Sequence, residues 1–356
     1  MTTISATMVK ELRDKTGAGM MDCKQALTET GGDMDAAVDW LRTKGLSKAA
    51  KKSDRIAAQG LIGVVSDGKS GALVEVNSET DFVARNSQFQ DMVRAIAALA
   101  LKAKGDLPAL LAASYPGASH NVETHVKEAV ATIGENMGLR RTAALSSGEG
   151  VLADYIHNKA GDGLGRIGVL VTLESTGDKA KLMELGRQIA MHVAAASPLA
   201  VTPEQLDKAV IDKERAIYLE QAQASGKPQD IIEKMVEGRL KKEFFGQVAL
   251  MSQVFVIDGK ATVGEALKAA EKTVGAPIKV GGFIRYALGE GIEKKQEDFA
   301  AEVAKAAGAA TQLKKNDPKA VDAEKAPENK AAPEKGDAPK NPASGPSGSK
   351  PSGKKK

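Results

Sequence analysis

The sequence predicts an α+β protein. Three observations carry that prediction: short segments of helical periodicity at the N-terminus, two copies of a strand–loop–helix pattern, and a long helical pair set before the last strands. The chain has 356 residues, room for about two domains. Apolar residues make up 42% and aromatic ones only 3%, so the cores must be built from Ala, Val, Leu and Ile.

Residues 1–46 read as three short helices. Ile4, Met8, Val9 and Leu12 recur at helical spacing, and the glycines of TGAG at 16–19 break the run. A second helix passes through Met20, Met21, Cys23, Ala26 and Leu27. Gly31-Gly32 ends it, and Asp33 is placed to cap a third helix carrying Ala37, Val38, Trp40 and Leu41. Three such helices bury little, so this is a module of docking size. SKAAKKSDRI reads as a charged helical linker within 47–59.

From Gly60 the periodicity becomes that of strands. LIGVV, SDGKSG and ALVEV form a hairpin pattern. The loop NSETDFVARN at 77–86 leads to a helix through Phe89, Met92, Val93, Ile96 and Leu99. Another helix within 121–145 gives way to the strand-like LRRTAAL.

The pattern then repeats. RIGVLVTLEST echoes KSGALVEVNSE, with Gly168 matching Gly71; LGRQIAMHVAA echoes MVRAIAALA, with Ile189 matching Ile96. The helix offset is four residues shorter than the strand offset, so the first copy holds four extra residues around TDFVARN. A loop longer than its twin is where function is sought. Two helices at about 203–224 and 229–243, turned by SGKP, make an antiparallel hairpin with Leu206, Val210, Ile217 and Ala224 near one face. QVFVI, a helix at 263–273 and KVGGFIRYALG complete a sheet, and a last helix follows from about 292 to 307.

From Leu313 onward there are 11 Lys, 6 acidic residues and seven of the thirteen Pro, with no aromatic residue. Such a tail buries too little apolar surface to offset its ordering entropy and is expected to be disordered. It carries more than the net charge of +4, so the body is near neutral and is not a nucleic-acid binder by charge. A weak RNA contact is left to the tail. No apolar run reaches the eighteen residues of a membrane span, and MTTISATMVKELRDK has no apolar signal core; a cytoplasmic protein is expected.

Two nucleotide-binding expressions fail on context. Gly63–Ser70 fits GxxxxGK[ST], but a strand follows where a helix must, so a hairpin turn is expected. Gly163–Gly168 fits GxGxxG and is also followed by a strand. The single Cys, Cys23, excludes an intramolecular disulfide and reads as a buried apolar residue in a helix. His120 and His125 stand five apart, off a common helix face, and His157 and His192 stand alone, so no metal site is expected. In the 77–86 loop two readings stay open. Asp81 caps the next helix with Phe82 as its hydrophobic staple, or the pair forms a wedge beside a carboxylate aimed at a partner.

The segments VKELRDKTGAGMMDCKQAL, EVNSETDFVARN, IGENMGLRR, IGVLVTLE with IAMHVAAASP, SGKP with IIEKMVEGRLKK, and GFIRYALGEGIEK occur in order across about 1–307. Together they resemble bacterial elongation factor Ts. The resemblance implies a guanine-nucleotide exchange factor for the GTPase elongation factor Tu, with no covalent chemistry and no cofactor or metal of its own. It implies a ubiquitin-associated-like three-helix module at 1–46, core subdomains at 60–145 and 146–290, a coiled-coil hairpin at about 202–245 and a C-terminal helical module at 291–308. The residues at 309–356 have no counterpart in the family pattern. By the same resemblance Thr80, Asp81, Phe82 and Val83 dislodge the partner's Mg²⁺. Lys24, Lys52, Ile133, Gly134, His192, Val256 and Ile257 are contact positions, although the family pattern commonly has Met where Ile257 stands. The implied partner is elongation factor Tu, GDP-bound and nucleotide-free, with no membrane.

Overall fold

A computed structural model describes residues 4–293. From residue 294 on, the helical module expected at 291–308 and the tail expected at 309–356 lie outside the described residues. In chain order the elements are α1 (Ala6–Thr16), α2 (Met20–Glu29), α3 (Met34–Ala50), β1 (Gln59–Ser66), β2 (Ser70–Ser78), α4 (Ser87–Lys102), α5 (Leu107–Ala112), α6 (Val122–Ile133) and β3 (Met137–Ser146). They continue with β4 (Gly150–His157), β5 (Leu164–Gly165), β6 (Ile167–Glu174), α7 (Lys179–Ala196), α8 (Lys208–Gln223), α9 (Gln229–Arg239), α10 (Phe245–Val248), α11 (Val263–Val274) and β7 (Lys279–Ala287).

Local chemistry sets the helix ends. The Ser5 hydroxyl accepts from the Met8 amide, and Gly17 closes α1 with φ 66°. Asp33 caps α3, accepting from the Ala36 amide at 2.9 Å. Val9, Leu12, Cys23, Ala26, Leu27 and Ala37 form a small core among α1–α3. The expected linker from residue 47 is corrected in part, because α3 runs on to Ala50. Its second half rests on α6, where Gly45 comes so close that a Cβ there would lie 2.9 Å from the Ala131 methyl, and Arg42 pairs with Glu128 at 2.9 Å. Tertiary support thus extends a helix whose local sequence is highly charged.

Two antiparallel sheets form the centre, ordered β3-β2-β1-β5 and β4-β6-β7. Period-2 alternation sorts their side chains. Leu61, Ala72, Val74 and Val76 pack under Phe89, Met92, Val93 and Ile96 of α4. Ile62, Val64 and Leu73 point the other way, onto Leu152, Ile156 and Leu170 of the second sheet. The outer face of that sheet, with Val151, Val169, Val171 and Leu173, packs under Leu182, Leu185, Ile189 and Val193 of α7. The result is four layers, helix–sheet–sheet–helix, with the helices segregated outside as an α+β fold requires.

Internal duplication is visible in the backbone. Each copy carries a β-bulge, at Glu75/Val76 against β3 and at Thr172/Leu173 against β7, in matching places of the repeat. The residue left over by the bulge is Arg140 in the first copy and Gly281 in the second. The connection from β2 to α4 spans 79–86, against 175–178 from β6 to α7. The four extra residues inferred from the offsets therefore lie in that loop.

Three expectations need correction. The first long hairpin helix does not start at 203: a 3₁₀ turn occupies Pro203–Gln205, and α8 begins after Asp207, which accepts from the Ala209 amide. Its inner face is Tyr218 and Ala222, packed on Ile232, Val236 and Leu240, while Val210 and Ile217 face solvent. The register is set by Tyr218, whose ring takes the Arg239 guanidinium at 4.2 Å. Finally, QVFVI is a loop, making only an isolated bridge between Val254 and Thr262. Its amides are spent elsewhere, that of Gln253 on Ala249 and that of Val256 on the His192 ring.

Candidate functional site

The 79–86 loop is built to hold one side chain out. As β2 ends, the Ser78 hydroxyl donates to the Thr80 carbonyl at 2.9 Å. The Thr80 amide and hydroxyl both donate to the Glu135 carboxylate, at 2.9 and 2.6 Å. Val83 sinks into the core beneath α4. Asn86, not Asp81, caps α4, accepting from the Phe89 amide at 3.2 Å. That removes the capping reading of the loop. Asp81 is no cap, and Phe82 staples nothing: it is 74% exposed. Asp81 keeps an open carboxylate 3.7 Å from Arg85. Leaving a Phe out forgoes about 1.5–3 kcal/mol of burial, so folding does not explain it.

The segment after α6 braces the loop from below. Gly134 takes the left-handed conformation (φ 92°) that ends the helix, and the Lys52 ammonium donates to its carbonyl. The Asn136 side chain donates to the Arg55 carbonyl at 2.7 Å, and Glu79 pairs with Arg55 at 3.5 Å. Lys52, Thr80–Val83 and Ile133–Gly134, far apart in sequence, are thus gathered on one side of the first subdomain. Glu135, the residue that holds the loop, was not singled out by the sequence, although it lies inside IGENMGLRR.

His192, Val256 and Ile257 make a second group. His192 has no exposed surface, so the expected direct contact through it is corrected. Its Nε2–H donates to Gln253 Oε1 at 2.9 Å, and its Nδ1 accepts from the Val256 amide at 3.3 Å. Burial lowers the His192 pKa, which keeps the ring in the neutral form that this pair of bonds needs. The histidine therefore holds up a loop whose Val254, Val256 and Ile257 are exposed. Lys24 is exposed on α2 with Met20 and Met21 one turn before it. Cys23 beside them is wholly buried, and burial pushes its thiol up, away from nucleophilic chemistry.

One buried acid escaped the sequence reading. Glu75 has no exposed surface, yet Arg140 pairs with it at 3.1 Å, Arg141 pairs with it too, and the Gly289 amide donates to it at 2.8 Å. The bulge turns both arginines toward the same carboxylate. Arg141 also donates to the Ala287 carbonyl at 3.0 Å, so this cluster clamps the end of β7 to the first sheet.

Neither nucleotide-binding expression survives. Asp67 Oδ1 accepts from the Lys69 and Ser70 amides at 2.8 and 2.6 Å, closing a tight β1–β2 turn. Lys69 spends its ammonium on the Gly148 carbonyl. Gly163–Gly168 covers the short strand β5 and the start of β6, with no helix after it. The histidines hold a surprise: His120 precedes α6 and folds back, so that its Nε2 lies 3.1 Å from His125 Nδ1. Spacing along a helix does not govern the pair, because only His125 is on α6. Among the described residues no helix is long and apolar enough to cross a membrane.

Comparison with known proteins agrees with the motifs. A family model described as Elongation factor TS matches residues 79–290. Elongation factor Ts of Parvibaculum lavamentivorans is 62% identical over 307 residues, covering 86% of this chain and 99% of that protein. Elongation factor Ts of Rhizobium leguminosarum bv. trifolii is 61% identical over 306 residues, and that of Rhizobium meliloti 59% over 305, with the same shares covered.

Proposed function

Since the chain belongs to the elongation factor Ts family, and is thereby a translation elongation factor, we propose that it releases GDP from elongation factor Tu by driving Phe82 and Asp81 against the partner's Mg²⁺ and phosphate site. The observation that carries this is a phenylalanine 74% exposed on a loop pinned at both ends. A wedge must keep its shape as it enters a packed surface, and pinning removes the entropy that a loose loop would lose on binding.

Mg²⁺ offsets the charge of the nucleotide phosphates, so disturbing it weakens GDP where it is held most tightly. Coupling is reciprocal: bound GDP must weaken this protein's hold by the same free energy. Lowering the release barrier by about 5.5 kcal/mol speeds release about 10⁴-fold. One side chain does not supply that. The exposed groups at Met20–Lys24 and Val254–Ile257 widen the interface, and the loop directs the binding energy at the nucleotide site. The chain needs no covalent step and no cofactor of its own, and it acts in the cytoplasm where translation proceeds.

The test is release of a fluorescent GDP analogue from elongation factor Tu in excess unlabelled GDP at fixed Mg²⁺. Substoichiometric protein is expected to accelerate release catalytically. Phe82→Ala should lower the exchange rate more than the affinity for the nucleotide-free GTPase; equal losses in both would sink the wedge.

A further inference from the structure

A cluster on α6 has no part in the exchange reading. Tyr115 stacks on His125 with ring centroids 3.5 Å apart and planes 11° from parallel. The Tyr115 amide donates to the His120 carbonyl at 3.0 Å, which folds the preceding loop back against the helix. As a result His120 Nε2 faces His125 Nδ1 at 3.1 Å and a Glu128 oxygen at 3.4 Å. Donor atoms of all three residues lie within 4.8 Å of one another, the only such group among the described residues.

These separations have a chemical meaning. Ligands about 2.0–2.1 Å from a tetrahedral cation stand about 3.3 Å from each other. The two distances at His120 bracket that value. A single Nε2–H can serve only one of its two facing acceptors well, whereas a cation at the centre serves all three donors. Glu128 is already oriented for the task, because its other oxygen accepts from Arg42 Nε at 2.9 Å. His120 and Glu128 line a cavity of about 520 Å³ between α3 and α6, which leaves room for a fourth ligand from solvent.

We propose that His120, His125 and Glu128 form a binding site for a late first-row divalent cation of the zinc class. Two imidazoles and one carboxylate suit such ions and suit Mg²⁺ or Ca²⁺ poorly. Bound there, the ion ties the 113–121 loop to α6. Through Glu128 and Arg42 it also ties α6 to α3, and so fastens the N-terminal helices to the first subdomain.

The experiment uses the full chain, stripped of metal with a chelator and then titrated with Co²⁺ and Zn²⁺ alone. One equivalent of Co²⁺ should give visible absorption of a four-coordinate site, and Zn²⁺ should displace it. His120→Ala and Glu128→Gln should each weaken affinity more than tenfold, with circular dichroism unchanged, and Arg42→Gln about tenfold. No stoichiometric binding, or the same affinity in both ligand variants, would overturn the proposal. If a ligand variant fails to fold, the other decides, since His120 sits on a loop and Glu128→Gln keeps its shape.

Discussion

Glu135 offers the sharpest test of whether the loop's shape matters. Glu135→Ala deletes the acceptor for both the Thr80 amide and the Thr80 hydroxyl. Hydrogen bonds to a charged group contribute about 1.5–3 kcal/mol each when shielded. This carboxylate is partly exposed, so about 1 kcal/mol each is the fair figure, and the loop loses about 2 kcal/mol of preorganisation. Val83 stays buried, so the fold stands while the tip carrying Phe82 loosens. About 2 kcal/mol corresponds to roughly a 30-fold change, so GDP release at limiting protein should slow about 10- to 30-fold. Amide hydrogen exchange at 79–82 should accelerate by a similar factor, with the thermal midpoint lowered by no more than several degrees. Faster amide exchange with unchanged GDP release would refute the reasoning, because the loop would then be loose and no less effective.

Glu75→Gln should destabilise the chain by about 3 kcal/mol in urea unfolding, since it leaves two arginines facing a buried neutral amide. Burial alone would raise the Glu75 pKa, but the Gly289 amide, Asn77 and Arg141 outweigh it, and the net shift is down. Its contribution is therefore full above the ordinary carboxylate range and fades as pH falls toward the folded value. The gap between wild type and Glu75→Gln should narrow below about pH 4.3, because protonated Glu75 matches Gln in shape and charge; a gap constant with pH would contradict the clamp. Deletion of 309–356 should leave GDP release nearly unchanged, and a large loss would place the tail in the functional interface.

Sequence reasoning reached furthest where local rules act alone. Asp33 as a cap, Cys23 as a buried helical residue and Asp67-Gly68 as a turn depend on neighbours in the chain. The duplicated pattern located the long loop because length is preserved between offsets. It left Asp81 and Phe82 undecided, since capping by Asn86 is visible only in the geometry. It missed what distant segments create. Glu75 reads as an ordinary outward residue in ALVEV until Arg140, Arg141 and Gly289 surround it. His120 and His125 look unrelated until Tyr115 folds the loop back. The aliphatic pattern through Val210 and Ile217 does not mark the inner face of α8, because Tyr218, with its Arg239 partner, and Ala222 turn inward instead.

The Glu75 clamp also sets a timetable for the nascent chain. Arg140 and Arg141 leave the ribosome 65 and 66 residues after Glu75, but the Gly289 amide follows 214 residues after it. At about 5–20 residues per second, that last donor arrives ~10–40 s after the acid it completes. The first sheet can pair its own strands in that interval, yet the buried carboxylate on its interior strand β2 still lacks one of its hydrogen-bond donors. The charge cluster that joins the two sheets is therefore completed only after β7 and the turn beyond it have emerged.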